Sequence, residues 1–381
     1  MRKTLVISLF TLSCGILLGQ SPVDSLKEVM MSAEGEQKVK ALNELFRAYQ
    51  EADPVSALGY TREALNLATE IGDKKGMAAS YNNLGVSYRQ QGAIDKALEY
   101  YINSLKIYEE LDNREGIATL KNNIANIYSI KKDFGLAVSY LEQSYALFTQ
   151  LQDKKKIVGS MNNLGNLNSD LQLFEKAMRY YSEAYQLSQQ EGMKFADPLT
   201  NLGNISFKQG NYQRAIEFYN KALDIEKENN NKLGMLSILT NIGATYTKAQ
   251  QPAPALEYLK EAEKLAEDLQ AFSYLPNILR SHADILYQQG KSKQAYETIL
   301  KYDSLREKIY GEESTKKIAQ MELVLTFAEK ERELQLLQKE GKIQTLQLRN
   351  TRLFIVMIIL AGLILIGGFN LYYMSNKKKL L

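Results

Sequence analysis

Asparagine is the residue type whose spacing in this sequence points most directly to chemistry. A carboxamide side chain offers hydrogen-bond donors and acceptors together, so a row of asparagines can hold the backbone of an extended or helical peptide without requiring a particular sequence. Asparagines recur at nearly constant intervals, as Asn82-Asn83, Asn122-Asn123, Asn162-Asn163, Asn126, Asn166, Asn201, Asn204 and Asn241. The recurrence predicts a polar surface built from repeated units.

Residue types that carry reactions are scarce. The sequence has one histidine, His282, and one cysteine, Cys14, which lies inside an N-terminal apolar run. The region after that run therefore lacks the usual zinc ligand sets and the cysteine–histidine pairs of nucleophilic catalysis. Neither a Gly-x-x-x-x-Gly-Lys-Ser/Thr phosphate loop nor a Gly-x-Ser-x-Gly elbow occurs. We predict a non-catalytic protein with no metal site and no cofactor, in which His282 is a packed structural residue.

The charge balance argues against a nucleic-acid partner. The chain carries 47 basic and 44 acidic residues, a formal net charge of +3 over 381 residues. Nucleic-acid-binding domains usually concentrate basic residues into a patch or stripe. The excess here is small and evenly dispersed, so we predict no nucleic-acid binding.

The asparagines stand beside a small residue that recurs with a long period. These small residues are Gly85, Ala125, Gly165, Gly203, Gly243 and Ala283, which lie 40, 40, 38, 40 and 40 positions apart. Twelve positions after each one stands an alanine, at Ala97, Ala137, Ala177, Ala215, Ala255 and Ala295. Twelve residues lead from the middle of one helix, through a tight turn, to the middle of the next, and small residues at both points let the backbones approach closely. Such a period is typical of a solenoid, whose units stack to bury their apolar faces.

These spacings predict an all-α solenoid. We expect a lead-in over residues 21–35 and then, over residues 36–310, fourteen helices in seven helix-turn-helix repeats. The interval between Gly165 and Gly203 is two residues short, and the shortening falls in the loop around residues 192–198. We expect a local change of superhelical pitch at this loop.

The motif resembles the tetratricopeptide repeat, which has a Leu-Gly pair, an aromatic residue three positions on, an alanine twelve positions on, and then a further aromatic residue and alanine. Tyr88, Tyr128 and Tyr246 occupy the first aromatic position, whereas Asn168 and Ser206 depart from it. The period of 40 exceeds the usual 34 and is similar to longer-helix variants that act as peptide- or protein-binding regulators. The resemblance implies a helical array that binds a protein, a peptide or a small ligand.

In the repeats that this chain resembles, the first helix of each pair lines a concave groove. The resemblance thus implies groove positions for Asn82, Asn122, Asn162, Asn126, Asn166 and Asn204. Arg89, Lys208 and Lys248 flank these positions and would favour acidic groups. The alternative is that asparagines merely tie adjacent helices together. That alternative applies most directly to Asn83, Asn123, Asn163, Asn201 and Asn241, and it stays open for the first set as well.

Two apolar runs predict export and membrane anchoring. Residues 1–20 have the basic start and short apolar run of a secretory signal peptide, which we favour over a lipoprotein signal at Cys14 because Thr11 replaces the usual apolar residue. Residues 351–374 contain an uncharged run long enough to cross a bilayer as a helix. Lys377, Lys378 and Lys379 follow in the basic tail, residues 375–381, which the positive-inside tendency assigns to the cytoplasm. We expect a single-pass protein of the bacterial cytoplasmic membrane with its repeats outside.

Residues 311–350 predict a glycine-poor helical stalk. Its apolar residues do not form a clean heptad, because Arg332 and Gly341 interrupt the pattern. Two interpretations remain open, a solvated single helix and a parallel coiled coil that makes the protein a homodimer.

The order of these segments resembles the sensory half of bacterial membrane histidine kinases and of membrane-tethered helix-turn-helix regulators. This sequence stops at Leu381, before any effector domain of that kind. The first hypothesis is therefore a sensor that relays ligand binding to a separate cytoplasmic kinase or regulator. One alternative is an envelope scaffold whose transmembrane helix is only an anchor. Another is that the sequence is the truncated N-terminal half of a sensor kinase or transcriptional regulator.

Overall fold

The computed structural model describes residues 22–50 and 52–379, and in this part of the chain every regular element is helical. The prediction of an all-α solenoid of helix pairs is confirmed. The predicted signal peptide, with Cys14, and the last two residues of the basic tail lie outside the described residues.

The helices are α1 (Pro22–Ser32), α2 (Gly35–Tyr49), α3 (Pro54–Ile71), α4 (Lys74–Gln90), α5 (Ile94–Glu110), α6 (Arg114–Ile130), α7 (Phe134–Gln150), α8 (Lys154–Asp170), α9 (Phe174–Gln190), α10 (Asp197–Lys208), α11 (Tyr212–Glu228), α12 (Lys232–Lys248), α13 (Pro252–Asp268), α14 (Leu275–Gln288) and α15 (Ser292–Lys379). A short 3₁₀ segment, Phe272–Tyr274, precedes α14. Six consecutive pairs pack together, from α2 with α3 to α12 with α13, and each second helix also packs on the first helix of the next pair. The helix α14 packs on α12 and α13.

Helix starts follow from local sequence. At six starts an aspartate or asparagine accepts a hydrogen bond from the backbone N–H three residues later, which satisfies one of the donors that a helix leaves unpaired at its N-terminus. These capping residues are Asp53, Asp73, Asn113, Asp133, Asp153 and Asn231.

The recurring small residues are buried where two helices of a pair cross. Gly165 of α8 lies against the ring of Tyr181 of α9, and Gly203 of α10 lies against Tyr219 of α11 in the same way. A Cβ atom at Gly203 would lie 2.5 Å from the Tyr219 ring, closer than two carbon atoms can approach without movement. The recurring alanines are also buried, and Ala177, Ala215 and Ala255 have no exposed surface. The 40-residue pattern therefore marks the closest approaches in the array.

Tight turns between helices use left-handed backbone conformations. The residues with positive φ in these turns are Gly72, Gly92, Asp112, Lys132, Gln152, Gln172, Gly192, Gly210, Asn230, Gln250, Gln270 and Gly290. Glycine adopts this conformation without steric cost, whereas a residue with a Cβ atom does so at a cost of about 1–2 kcal/mol.

Replacing a strained turn residue by glycine should stabilise the array. Gln172 has a φ of 59°, so we expect Gln172→Gly to raise the free energy of unfolding by about 0.5–1 kcal/mol, after the larger chain entropy of unfolded glycine is subtracted. Thermal and urea unfolding followed by circular dichroism would measure the change. The matched variant is Gly92→Gln, which should lower stability because Gly92 has a φ of 79°. A loss of stability in Gln172→Gly would contradict this explanation.

The shortened repeat interval corresponds to a shortened helix. The helix α10 has 12 residues, whereas α8 has 17. The chain leaves α9 after Gln190, runs through residues 191–196, and enters α10 with Pro198 in the first turn. Because α10 lacks its first turn, the loop residues lie beside the N-terminal half of α8. The change of superhelical pitch expected here stays a prediction.

The chain forms two compact units, Met1–Tyr310 and Gly311–Leu381, and the helix α15 begins in the first and ends in the second. Within the second unit, the helical segment Lys339–Gly368 has 30 residues and contains an 18-residue window with a mean hydropathy of 2.3, none of which is buried inside the chain. By length and composition this one helical segment is able to span a membrane.

Candidate ligand-binding groove

The first helices of successive pairs lie side by side. Direct contacts join α2 to α4, α8 to α10 and α12 to α14. We call the surface of the first helices α2, α4, α6, α8, α10 and α12 the inner surface. All the asparagines singled out by their spacing belong to these helices.

Asparagine side chains form hydrogen bonds from one pair to the next along the inner surface. Asn123 Nδ2 donates to Asn82 Oδ1 at 2.9 Å, and Asn163 Nδ2 donates to Asn122 Oδ1 at 2.8 Å. Asn201 Nδ2 donates to Asn162 Oδ1 at 3.1 Å. In each step the second asparagine of one motif reaches the first asparagine, or its equivalent, in the preceding pair. We call this series of bonds the asparagine ladder.

The ladder uses only the side-chain oxygen of the first asparagine in each motif. The oxygens of Asn82, Asn122 and Asn162 accept ladder bonds, but their Nδ2 groups donate to none of the residues that the structure describes. All three side chains are half-buried. The two interpretations of the sequence are therefore compatible, because the same amides tie helices together and leave N–H donors for a ligand. Asn241 has no side-chain hydrogen bond within the described residues.

A second row of asparagines is held by buried tyrosines. Tyr181 Oη donates to Asn166 Oδ1 at 2.7 Å, and Tyr219 Oη donates to Asn204 Oδ1 at 2.7 Å. Burial raises the pKa of both tyrosines, so the hydroxyls remain protonated donors. Asn126 receives no such hydrogen bond, because Leu141 occupies the position that corresponds to Tyr181 and Tyr219.

The first pair begins the ladder with a buried network that the sequence did not reveal. Asn83 Nδ2 donates to Asn43 Oδ1 at 2.9 Å, and Asn43 Nδ2 donates to Ser80 Oγ at 3.0 Å. All three side chains are buried. The available signal was that Asn43 stands one 40-residue period before Asn83.

The three predicted flanking cations lie on three different helices. Lys248 of α12 pairs with Asp284, with Nζ and Oδ2 3.4 Å apart. Arg89 of α4 lies near the Tyr101 hydroxyl, where its charge lowers the pKa of that tyrosine against the larger raising effect of burial. Lys208 of α10 is exposed and has no ion pair within the described part of the chain. Their expected preference for acidic groups stays a prediction.

A pocket of about 270 Å³ opens on the inner surface at the shortened repeat. It brings together Asn122 of α6 and Asn162 of α8, two of the predicted ligand-binding residues. Its other walls include Lys155 and Lys156 from the start of α8 and Phe195 from the loop before α10. The loop was missed because only the shortened α10 brings it beside the asparagines, whereas Lys155 and Lys156 stand two turns before Asn162 on the same helix and were overlooked.

His282 is half-buried in α14, and its Nε2 atom has no hydrogen-bond partner among the described residues. Burial lowers the pKa of the imidazole, and the nearby Glu263 opposes this shift. The equivalent positions in other pairs are held by aliphatic residues such as Leu84, Ile124 and Leu164.

A pKa that is lower in the folded state makes stability depend on pH. The unfolded chain binds a proton on His282 near its ordinary pKa of 6.5, whereas the folded chain resists protonation. The stability contributed by the neutral imidazole is therefore present above that pH and is lost as the pH falls through it. We expect His282→Leu to reduce the loss of stability between pH 8 and pH 5, measured by urea unfolding of wild type and variant in parallel. Equal pH dependence in the two proteins would contradict this assignment.

Comparison with known proteins gives a family match and several similar structures. The sequence profile of the tetratricopeptide repeat matches residues 48–110, 76–150, 116–190 and 194–268, which together exceed half of the chain. No curated protein matches the sequence.

Three solved structures share the fold. The apo form of RapI has 17% identity and a TM-score of 0.55, over 72% of this chain and 99% of that chain. Aspartyl phosphate phosphatase F from Bacillus subtilis has 14% identity and a TM-score of 0.55, over 71% of both chains. A Rap protein complexed with competence and sporulation factor has 15% identity and a TM-score of 0.53, over 75% of this chain and 90% of that chain. At these identities the likeness concerns the fold alone.

Proposed function

Because the chain belongs to the tetratricopeptide repeat family, we propose that it is a non-catalytic, membrane-anchored sensor whose inner surface binds a peptide or a segment of another protein. The observation that carries this proposal is the row of half-buried amide N–H groups at Asn82, Asn122 and Asn162, whose oxygens are fixed by the ladder. Fixed donors lose little conformational entropy on binding, which favours recognition of a ligand's carbonyl or carboxylate oxygens. The Rap protein complexed with competence and sporulation factor is a precedent for a bound factor in an array of this fold.

The proposed topology is the one predicted from the two apolar runs. A signal peptide (1–20) directs export, the lead-in (21–35) and repeat array (36–310) lie outside the cytoplasmic membrane, and the stalk (311–350) leads to the span (351–374) and the basic tail (375–381). The apolar segment Lys339–Gly368 supports membrane attachment, since it has the length and composition of a span. In this proposal the stalk pairs two copies as a homodimer, and the tail reaches a cytoplasmic kinase or regulator.

The groove is tested by removing its donors while the ladder is kept. Asn122→Asp with Asn162→Asp retains oxygens that accept from Asn163 and Asn201, but replaces the free N–H groups by negative charge. Alanine would be a poorer choice, because it would leave those two amides without acceptors. We expect at least about a tenfold loss of co-purified partner, measured by affinity purification of the cross-linked full-length chain and quantitative mass spectrometry. The matched control is Asn66→Asp on the second helix α3, which should capture as wild type does. Undiminished capture by the double variant would rule out these donors.

The sensor and scaffold hypotheses differ in whether the stalk must keep its register. One inserted residue rotates a helix by about 100° beyond the insertion. If the protein is a sensor, the variant with one inserted residue should still capture its partner. It should, however, fail to restore the transcript profile when it is expressed in cells that lack the protein. If the insertion variant, and a variant with an unrelated span, both restore that profile, the span is only an anchor and the scaffold function is correct.

A further inference from the structure

We propose that the pocket between α6, α8 and the start of α10 receives one large apolar side chain from an acidic peptide segment. This inference rests on the proposed function, and it names the class of ligand that the inner surface binds. The pocket is lined by residues of a regular helix on one side and by the irregular loop before α10 on the other.

The interior of the pocket is apolar. Phe148 and Val158 form part of its wall and are 2% and 3% exposed, and Phe195 and Pro198 contribute from the loop and the start of α10. The volume of about 270 Å³ lies below the ~300–1,000 Å³ that is usual for small-molecule sites. The size and lining therefore fit a single aromatic or branched aliphatic side chain.

The rim of the pocket is positively charged. Lys155 and Lys156 have no ion pair with any described residue, and Asp197 is the one carboxylate among the residues lining the pocket. Their neighbour Lys154 is neutralised by Glu191, with Nζ and Oε1 3.7 Å apart. Lysines in the first turn of α8 oppose the helix dipole, so their placement is unfavourable for the helix alone. An acidic ligand would compensate them, and the free Nδ2 groups of Asn122 and Asn162 would donate to the same acid groups or to the peptide backbone.

Gly159 keeps the mouth of the pocket open. It lies in the interior of α8, where glycine weakens a helix relative to alanine. A Cβ atom at this position would meet no atom within 4 Å, so close helix packing does not require the glycine. Gly159 also lines the pocket, and any larger side chain there would project toward the space that the ligand occupies.

The test uses the full-length chain in detergent and four short fluorescein-labelled peptides. All have a glycine–serine background, and their central residues are Phe-Glu-Glu, Ser-Glu-Glu, Phe-Gln-Gln or Phe-Lys-Lys. We expect fluorescence polarisation to show that Phe-Glu-Glu binds at least about tenfold more tightly than each of the other three, because only this peptide supplies both the apolar side chain and the acid groups. Equal affinities, or no binding at millimolar concentration, would overturn the proposal.

Substitutions locate the binding in the pocket. Gly159→Phe should weaken binding of the Phe-Glu-Glu peptide at least about tenfold. Gly59→Phe, at an exposed helical glycine of α3 that also has open space around it, should leave binding unchanged. Lys155→Glu with Lys156→Glu should reverse the preference from Phe-Glu-Glu to Phe-Lys-Lys, a gain that an unfolded variant cannot show. Unchanged binding in Gly159→Phe, or an unchanged preference in the double variant, would exclude this pocket.

The experiments distinguish a wrong assignment of the pocket from a wrong proposed function. If Asn122→Asp with Asn162→Asp abolishes partner capture but Gly159→Phe does not weaken the peptide, the groove function stands and the pocket assignment is wrong.

Discussion

Gly165→Ala should lower the free energy of unfolding by about 1–3 kcal/mol, the usual cost of an added methyl group in a packed interior. The new Cβ atom would overlap the ring of Tyr181, which is 2% exposed and hydrogen-bonded through Oη to Asn166. Because the ring is buried and its hydroxyl is hydrogen-bonded, a shift of the ring would disturb both its packing and that bond. Urea unfolding of the full-length chain in detergent, followed by circular dichroism, measures the change.

A second glycine of α8 supplies a control for which the expected change in stability has the opposite sign. Gly159→Ala adds the same methyl group in α8, but that group meets open space. We expect it to raise stability by about 0.5–1 kcal/mol through helix propensity alone. If both glycine-to-alanine changes had the same sign, the close approach at Gly165 would not be the cause.

Another pair of the array contains alanine in place of the glycine together with a smaller side chain in place of the tyrosine. At the equivalent site of the preceding pair, Ala125 stands where Gly165 stands and Leu141 stands where Tyr181 stands. Tyr181→Leu alone should destabilise the protein through a cavity and the lost hydrogen bond. Combined with Gly165→Ala it should cost less than the sum of the two single changes, because the leucine leaves room for the methyl group. Simple additivity of the two changes would contradict this coupling.

The second large effect is expected for Asn43→Ala, which should lower the free energy of unfolding by about 2 kcal/mol. The reason is that the buried amide of Asn83 loses its side-chain acceptor. Asn83 would lose the bond to Asn43 Oδ1 and keep only the longer contact of 3.3 Å to the Asn43 backbone oxygen. Repeat arrays unfold partly by local opening at their ends, so amide hydrogen exchange across α2, α3 and α4 should report the loss most directly.

The matched comparison for Asn43→Ala is the ladder bond between Asn163 and Asn122. Asn163→Ala removes the 2.8 Å bond to Asn122, but both side chains are half-buried and water replaces the missing partner. We therefore expect a cost of no more than about 1 kcal/mol. Equal costs for Asn43→Ala and Asn163→Ala would show that burial does not decide the strength of these bonds.

The helical architecture was predictable because the repeat determines it locally. Small residues spaced by 40 and by 12 positions mark points where backbones cross, and the structure has them buried there, as at Gly165 and Ala177. The ordinary tetratricopeptide pattern holds even where the aromatic position departs from it, since Ser206 is buried in place of an aromatic residue.

The candidate site was only partly predictable. The positions of Asn122 and Asn162 on the inner surface followed from the repeat, but the direction of the ladder bonds did not, because it depends on the offset between neighbouring helices. The pocket could not be foreseen, since it requires the missing first turn of α10 to leave Phe195 and Pro198 beside Lys155. The predicted cations Arg89, Lys208 and Lys248 lie on α4, α10 and α12, and their effect on ligand preference stays a prediction.

The inner surface is the proposed binding surface for a partner, and photo-cross-linking from single positions tests this most directly. A p-benzoylphenylalanine residue would replace Asn126, on the inner helix α6, or Glu142, on the second helix α7, in the full-length chain in its own cells. Asn126 is suitable because its side chain has no hydrogen bond within the described residues. We predict a discrete adduct from position 126 that disappears in the Asn122→Asp, Asn162→Asp background, and no such adduct from position 142. An adduct from position 142 with none from position 126 would contradict the account.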